Sequence, residues 1–120
     1  MYNVNRIKRN KRIIRSRRVR AKIHGTAERP RAAIFRSLRH TYVQLINDDA
    51  GKTILSVNDT DIKPAKGQKK VDTGKALGQA VAAKAHALKI AAVVFDRRGY
   101  RYHGRVAAVA AGMRADGLKF

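Results

Sequence analysis

Between Met1 and Ile23 the chain carries ten cations and no acid: Arg6, Lys8, Arg9, Lys11, Arg12, Arg15, Arg17, Arg18, Arg20 and Lys22. This run limits the fold more than any other feature. Its apolar residues, Val4, Ile7, Ile13, Ile14, Val19 and Ile23, do not gather into a wide helical stripe, because cations fall on every side. A helix here would be polar nearly all round and would repel itself. The segment is expected to be disordered when free and helical at least in part once phosphates neutralise it, with Asn3 or Asn5 as its cap. The hydrophobic core must then come from the residues beyond Ile23. Residues 1–24 read as a basic arm and residues 25–120 as a globular domain.

The net charge is +20, from 28 Lys and Arg against 8 Asp and Glu, and the 97 residues after Ile23 hold 18 of the cations and all the acids. Half the net charge thus lies in under a fifth of the chain. A polyanion would relieve the self-repulsion and release counterions as it bound. Seven of the ten arm cations are Arg, which offers phosphate a bidentate fork and stacks on bases, where Lys is a point charge. There is no cysteine, so disulfides, thiolate metal sites and Cys nucleophiles are excluded. No apolar run approaches the roughly 18–20 residues that span a bilayer. The basic N-terminus lacks the apolar region of a secretory signal. It shares an acid-free, Arg-rich character with transit peptides but has only Ser16 as a serine, so the expected location is the cytoplasm.

After a hinge at Gly25-Thr26-Ala27-Glu28-Arg29-Pro30, three strands are expected at Ala32–Arg36, Thr41–Asn47 and Thr53–Val57. The second alternates, with Val43 and Leu45 on one face and Tyr42, Gln44 and Ile46 on the other. The turn Asn47-Asp48-Asp49-Ala50-Gly51 leads to the third, and short connections imply an antiparallel meander. Asn58–Lys70, with Pro64 and Gly67, reads as a polar surface loop. Val71–Leu88 is a helix with Val71, Leu77, Val81, Ala85 and Leu88 as its apolar stripe. Ala91–Phe95 is a buried strand, and Asp96–Gly104 a loop. Arg105–Ala115 is a second helix, with Val106, Val109, Ala110 and Met113 facing inward and Gly117 after its end. The expected fold is α/β: a βββαβα domain with a four-stranded mixed sheet, one parallel pair and two helices on one face, preceded by the arm. The other sheet face is left at least partly free for a partner.

Two segments suit RNA. Phe35-Arg36-Ser37-Leu38-Arg39-His40-Thr41-Tyr42-Val43-Gln44 is a hairpin tip with cations, and alternation puts His40, Tyr42 and Gln44 on one face. Cations meet phosphate, a ring stacks on bases, and an amide reads base edges or 2′-hydroxyls. An ordinary polar sheet face would read the same way. Asp96-Arg97-Arg98-Gly99-Tyr100-Arg101-Tyr102-His103-Gly104-Arg105 lies between a strand and a helix, where α/β folds commonly hold ligands. Four arginines alternate there with two tyrosines and a histidine, and Arg105 with the helix start suits a phosphate.

Other chemistries fit poorly. From Gly67 to Gly74 there are six intervening residues where a P-loop needs four, and Ala76 stands where it needs a hydroxyl. A metal-dependent nuclease needs converging carboxylates, and only Asp59, Asp61 and Asp96 form a plausible set; they read as turn-forming and ion-pairing residues. His24, His40, His86 and His103 show no metal-ligand spacing, and His86 falls on the solvated side of its helix. No metal, cofactor or small-molecule substrate is expected. A DNA-compacting protein would need mainly Lys and Arg rather than these mixed Tyr/His/Arg clusters.

Phe35-Arg36-Ser37, His40 and Tyr42-Val43-Gln44, with Val94-Phe95-Asp96-Arg97 and Gly99-Tyr100-Arg101-Tyr102-His103-Gly104-Arg105-Val106, resemble the family of bacterial large-subunit ribosomal protein eighteen, the 5S-rRNA binders. Gly25-Thr26-Ala27-Glu28-Arg29-Pro30-Arg31 and the ending Gly117-Leu118-Lys119-Phe120 are similar to it as well. The resemblance implies a structural role, without catalysis, in the central protuberance of the large ribosomal subunit. It implies 5S rRNA held by the arm, sheet face and loops, contact with 23S rRNA, and large-subunit protein five nearby on the same 5S rRNA. By position it carries Arg36, Ser37, His40, Tyr42 and Gln44 to sheet contacts and Tyr100, Tyr102, His103 and Arg105 to loop contacts. Arg29, Arg31, Arg39, Arg97, Arg98 and Arg101 join the expected RNA-binding set with the arm cations. The sequence departs from the family at Ala32-Ala33, where bulkier residues are usual, and at Arg98, a place often held by Gly.

Overall fold

The computed structural model describes residues 4–62 and 69–120, with Val4 described by its backbone alone. Pro64 and Gly67, and Asn3 as a cap, lie outside the described residues. Helix α1 runs Val4–Arg20, followed by strands β1 (Arg31–Arg36), β2 (Thr41–Asn47) and β3 (Lys52–Asn58). A short 3-10 turn (Asp59–Ile62), helix α2 (Lys70–Ala87), strand β4 (Val94–Asp96) and helix α3 (Arg105–Ala115) complete the chain. The four strands form one sheet in the order β3-β2-β1-β4, with β1 antiparallel to β2 and parallel to β4. This is the expected α/β arrangement.

The alternation read in β2 is the one observed: Thr41, Val43 and Leu45 are buried and the residues between them are half-exposed. Val43 pairs with Ile34 and Val57, and Leu45 with Ala32 and Leu55. These side chains form the sheet's share of the core, against Leu77, Val81 and Ala85 of α2 and Val106, Val109 and Met113 of α3. Both alanines of β1 are fully buried. Ala32 lies in the core, whereas Ala33 lies on the opposite face, between Gln44 and Asp96 in register.

Three details differ from the sequence reading. Val71 and Leu88 end the expected α2 stripe but are 48% and 53% exposed. The buried side of α2 instead includes Thr73, Gly74, Gly78 and Ala82. The reason is the closeness of α3: a Cβ on Gly78 would stand 2.1 Å from the Val109 carbonyl oxygen, and one on Gly112 2.2 Å from that of Lys75. Backbones this near exclude any side chain at the crossing. The last strand is shorter and later than expected, because Ala91 and Val93 hydrogen-bond to Lys119 before Val94 joins β1. Finally, Asn5 is inside α1 and is not its cap.

Candidate nucleic-acid interface

The β1–β2 turn decides what stands on the face away from the helices. Ser37 closes it: its N–H donates to the His40 carbonyl at 2.8 Å, and its Oγ accepts the His40 N–H at 3.1 Å. Arg36 then pairs with Thr41 and Phe35 with Tyr42. The Phe35 and Tyr42 rings stack with centroids 4.6 Å apart and planes 5° from parallel. Tyr42 and Gln44 share this face as expected. His40 precedes the strand, and its Nδ1 lies 3.1 Å from Asp59 Oδ1. Asp59 is itself buried and accepts the Thr41 N–H through Oδ2, so it fixes both the strand start and the imidazole.

The loop after β4 folds back over the same face. Arg98 and Gly99 both have positive φ, 52° and 77°, and the Tyr100 N–H donates to the Arg97 carbonyl at 3.0 Å. That is the geometry of a type I′ turn, which favours glycine at both centres. It is why Gly suits position 98, and it strains the Arg found there. Asp96 Oδ1 accepts the Arg98 N–H at 2.8 Å, and the turn carries the Arg98 guanidinium to 4.2 Å above the Phe35 ring. Tyr100 reaches β1: its hydroxyl donates to the Arg36 carbonyl at 3.1 Å, and the Arg36 guanidinium lies 5.2 Å from its ring centre. Arg12 of α1 lies 5.4 Å from the same ring. Cation–π contacts of this kind hold arginines in place at about 0.5–1 kcal/mol each while leaving their charge to a ligand.

Helix α1 rests on the turn. A Cβ on Gly99 would stand 2.8 Å from the Ser16 nitrogen and 2.9 Å from the Arg12 carbonyl oxygen, and Arg15 Nε donates to the Gly99 carbonyl at 3.2 Å. A second anchor is Asp48, which takes Arg20 at 3.0 Å, the Gly25 N–H at 2.7 Å and Arg31 at 3.1 Å. The expected hinge is accordingly bonded at its first residue. Burial alone would raise the Asp48 pKa, but the Arg31 and Gly25 hydrogen bonds and the Arg31 and Arg20 charges outweigh it, and the net direction is down. For Arg31 burial pulls the pKa down and Asp48 and Asp96 carry it above its usual value.

Most of the expected binding residues are at the surface. The arm cations Arg6 to Arg18 and Lys22 are exposed, as are Arg29, Arg36, Ser37, Arg39, His40, Arg101, Tyr102 and His103. Arg97, Arg98, Tyr100 and Arg105 are half-exposed. Two placements differ from a simple shared face. Arg31 is turned inward and ion-paired to Asp96 at 2.8 Å as well as to Asp48, with its side chain 12% exposed. Tyr102 does not join Tyr100; it packs edge-on against Phe95, which stacks on Phe120 at the β4 edge. Burial, followed by the Arg36 charge, lowers the pKa of Arg105. Sequence reasoning gave Phe35, Asp48, Asp59 and Gly99 no part in building this surface. For Phe35 a signal exists, since counting back from the turn sets it opposite Tyr42.

The model of the family described as ribosomal L18 of archaea, bacteria, mitochondria and chloroplast matches residues 6–120. The chain belongs to the ribosomal L18 family. Curated relatives include the large ribosomal subunit protein uL18 of Chloroherpeton thalassium, 53% identical over 107 residues that cover 87% of this chain and 88% of that one. That of Lactobacillus delbrueckii subsp. bulgaricus is 50% identical, covering 91% and 92%. That of Anaeromyxobacter dehalogenans is 51% identical, covering 88% and 92%.

Membership makes the chain a structural ribosomal protein and not an enzyme. The three acids weighed for a nuclease are each engaged by the fold itself. Asp59 holds His40 and Thr41, Asp61 accepts the Asn58 N–H, and Asp96 holds Arg31 and Arg98.

Proposed function

We propose that this protein, a constituent of the large ribosomal subunit, binds 5S rRNA and helps attach it to 23S rRNA in the central protuberance, near large-subunit protein five. The observation that carries the reading is the joined surface of α1, the Arg98–Gly99 turn and the β1–β2 hairpin. Phe35, Tyr42 and Tyr100 supply rings, and Arg12, Arg36 and Arg98 lie over two of those rings. Stacked rings with fixed arginines suit splayed bases and the phosphates beside them. The body's share of this surface, the turn and the hairpin, selects the RNA, and the arm supplies most of the affinity. The two domains of the chain, 1–24 and 25–120, divide the work in that way.

A filter-binding titration against 5S rRNA and an unrelated RNA of equal length tests the reading. A clear preference for 5S rRNA is expected, and equal affinities would refute it. Ten arm cations, at roughly −0.7 to −0.9 per phosphate, limit the arm's share of the log–log salt slope to about −7 to −9. The pairing of Arg20 with Asp48 makes the observed slope shallower.

A further inference from the structure

Where α1 lies on the turn, a cleft opens that is lined by Arg15, Arg97, Gly99 and Arg101. Three arginines line it and no carboxylate does. An adjoining cleft shares Arg15 and Arg97 and adds Arg18 and Lys22, again without an acid. Like charges gathered in this way repel one another unless an anion lies between them. Two of the three guanidiniums are held in place: Arg15 Nε donates to the Gly99 carbonyl at 3.2 Å, and Arg97 Nη1 to the Tyr100 carbonyl at 2.7 Å. Each bond uses one of the five N–H donors of its guanidinium and leaves the others for a ligand. Arg101 is exposed at the cleft's edge.

We propose that this cleft is a phosphate site, filled by a backbone phosphate of bound RNA. The inference rests on the rRNA-binding reading for its source of phosphate, but not for the site itself. Charge-assisted, bidentate bonds are the strong ones for such a group. One phosphate would touch Arg15 of the arm and Arg97 and Arg101 of the body together, so its binding locks α1 onto the turn. Arm docking and RNA capture become one event.

The test uses the full chain and two probes. In an NMR titration with inorganic pyrophosphate, the Gly99 amide and the Nε–H signals of Arg15, Arg97 and Arg101 are expected to shift along one saturating curve. Sodium chloride of equal ionic strength should not reproduce it, and Arg101→Gln should weaken saturation several-fold. In RNA titrations the same variant should flatten the salt slope by about 1. Shifts spread evenly over the arm, with no group that saturates, would overturn the site. Saturation by pyrophosphate with an unchanged RNA slope would overturn the RNA backbone as its occupant. If both arms behave as expected but 5S rRNA is not preferred over unrelated RNA, the phosphate site stands and the 5S reading falls.

Discussion

Arg98 combines backbone strain with a half-exposed charge in one residue. Its φ of 52° costs an L-residue about 1–2 kcal/mol, and its guanidinium over Phe35 recovers only part of that. Arg98→Gly is therefore expected to keep or slightly raise stability in urea melts while weakening RNA affinity several-fold. A loss of stability would mean that the stacking outweighs the strain. Asp48 carries a second residue-scale consequence. Its pKa is lowered in the fold, so its contribution is fully present above the ordinary carboxylate value of about 3.9. That contribution is lost as pH falls through the lower, folded value. Acid unfolding followed by circular dichroism should therefore show a steep limb below about pH 4. Asp48→Asn should flatten that limb and lower stability at neutral pH.

At the scale of elements, the α2–α3 crossing is set by Gly78 and Gly112, not by large apolar residues. Gly78→Ala gains about 1 kcal/mol of helix propensity. It also drives a methyl toward the Val109 carbonyl, 2.1 Å from its ideal Cβ position, and overpacking of that kind costs about 1–3 kcal/mol. A net destabilisation is expected in denaturant melts, and a stabilised variant would show that the helices can separate freely. Patterns confined to one element could be read from the sequence: the alternation of Tyr42 to Leu45, the α3 stripe, the turn before β3. The expected βββαβα order came from them. What escaped depends on a second element. Glycines read as neutral until the facing helix is known, and the seat of α1 on Gly99 joins residues 84 apart in the chain. The Tyr100–Tyr102 pair also reads as one cluster along the chain, although Arg36 of β1 and Arg12 of α1 hold the Tyr100 ring while Phe95 of β4 holds that of Tyr102. Asp59 was legible as a turn-forming, ion-pairing acid, but its partners His40 and Thr41, and those of Asp48, were not.

At the scale of the whole molecule, a small α/β domain carries a long cationic helix pinned at two places, Gly99 and Asp48. The core is supplied by residues after the arm, so a chain lacking residues 1–24 is expected to keep its body's fold. The proposed function divides the labour between an arm that binds tightly and a body that chooses. It is tested most directly by measuring 5S rRNA and unrelated-RNA affinities for the full chain and for the chain lacking residues 1–24. A large loss of affinity for both RNAs is expected, with the preference for 5S rRNA retained. An unchanged affinity for 5S rRNA, or a preference that disappears with the arm while the body stays folded, would contradict it.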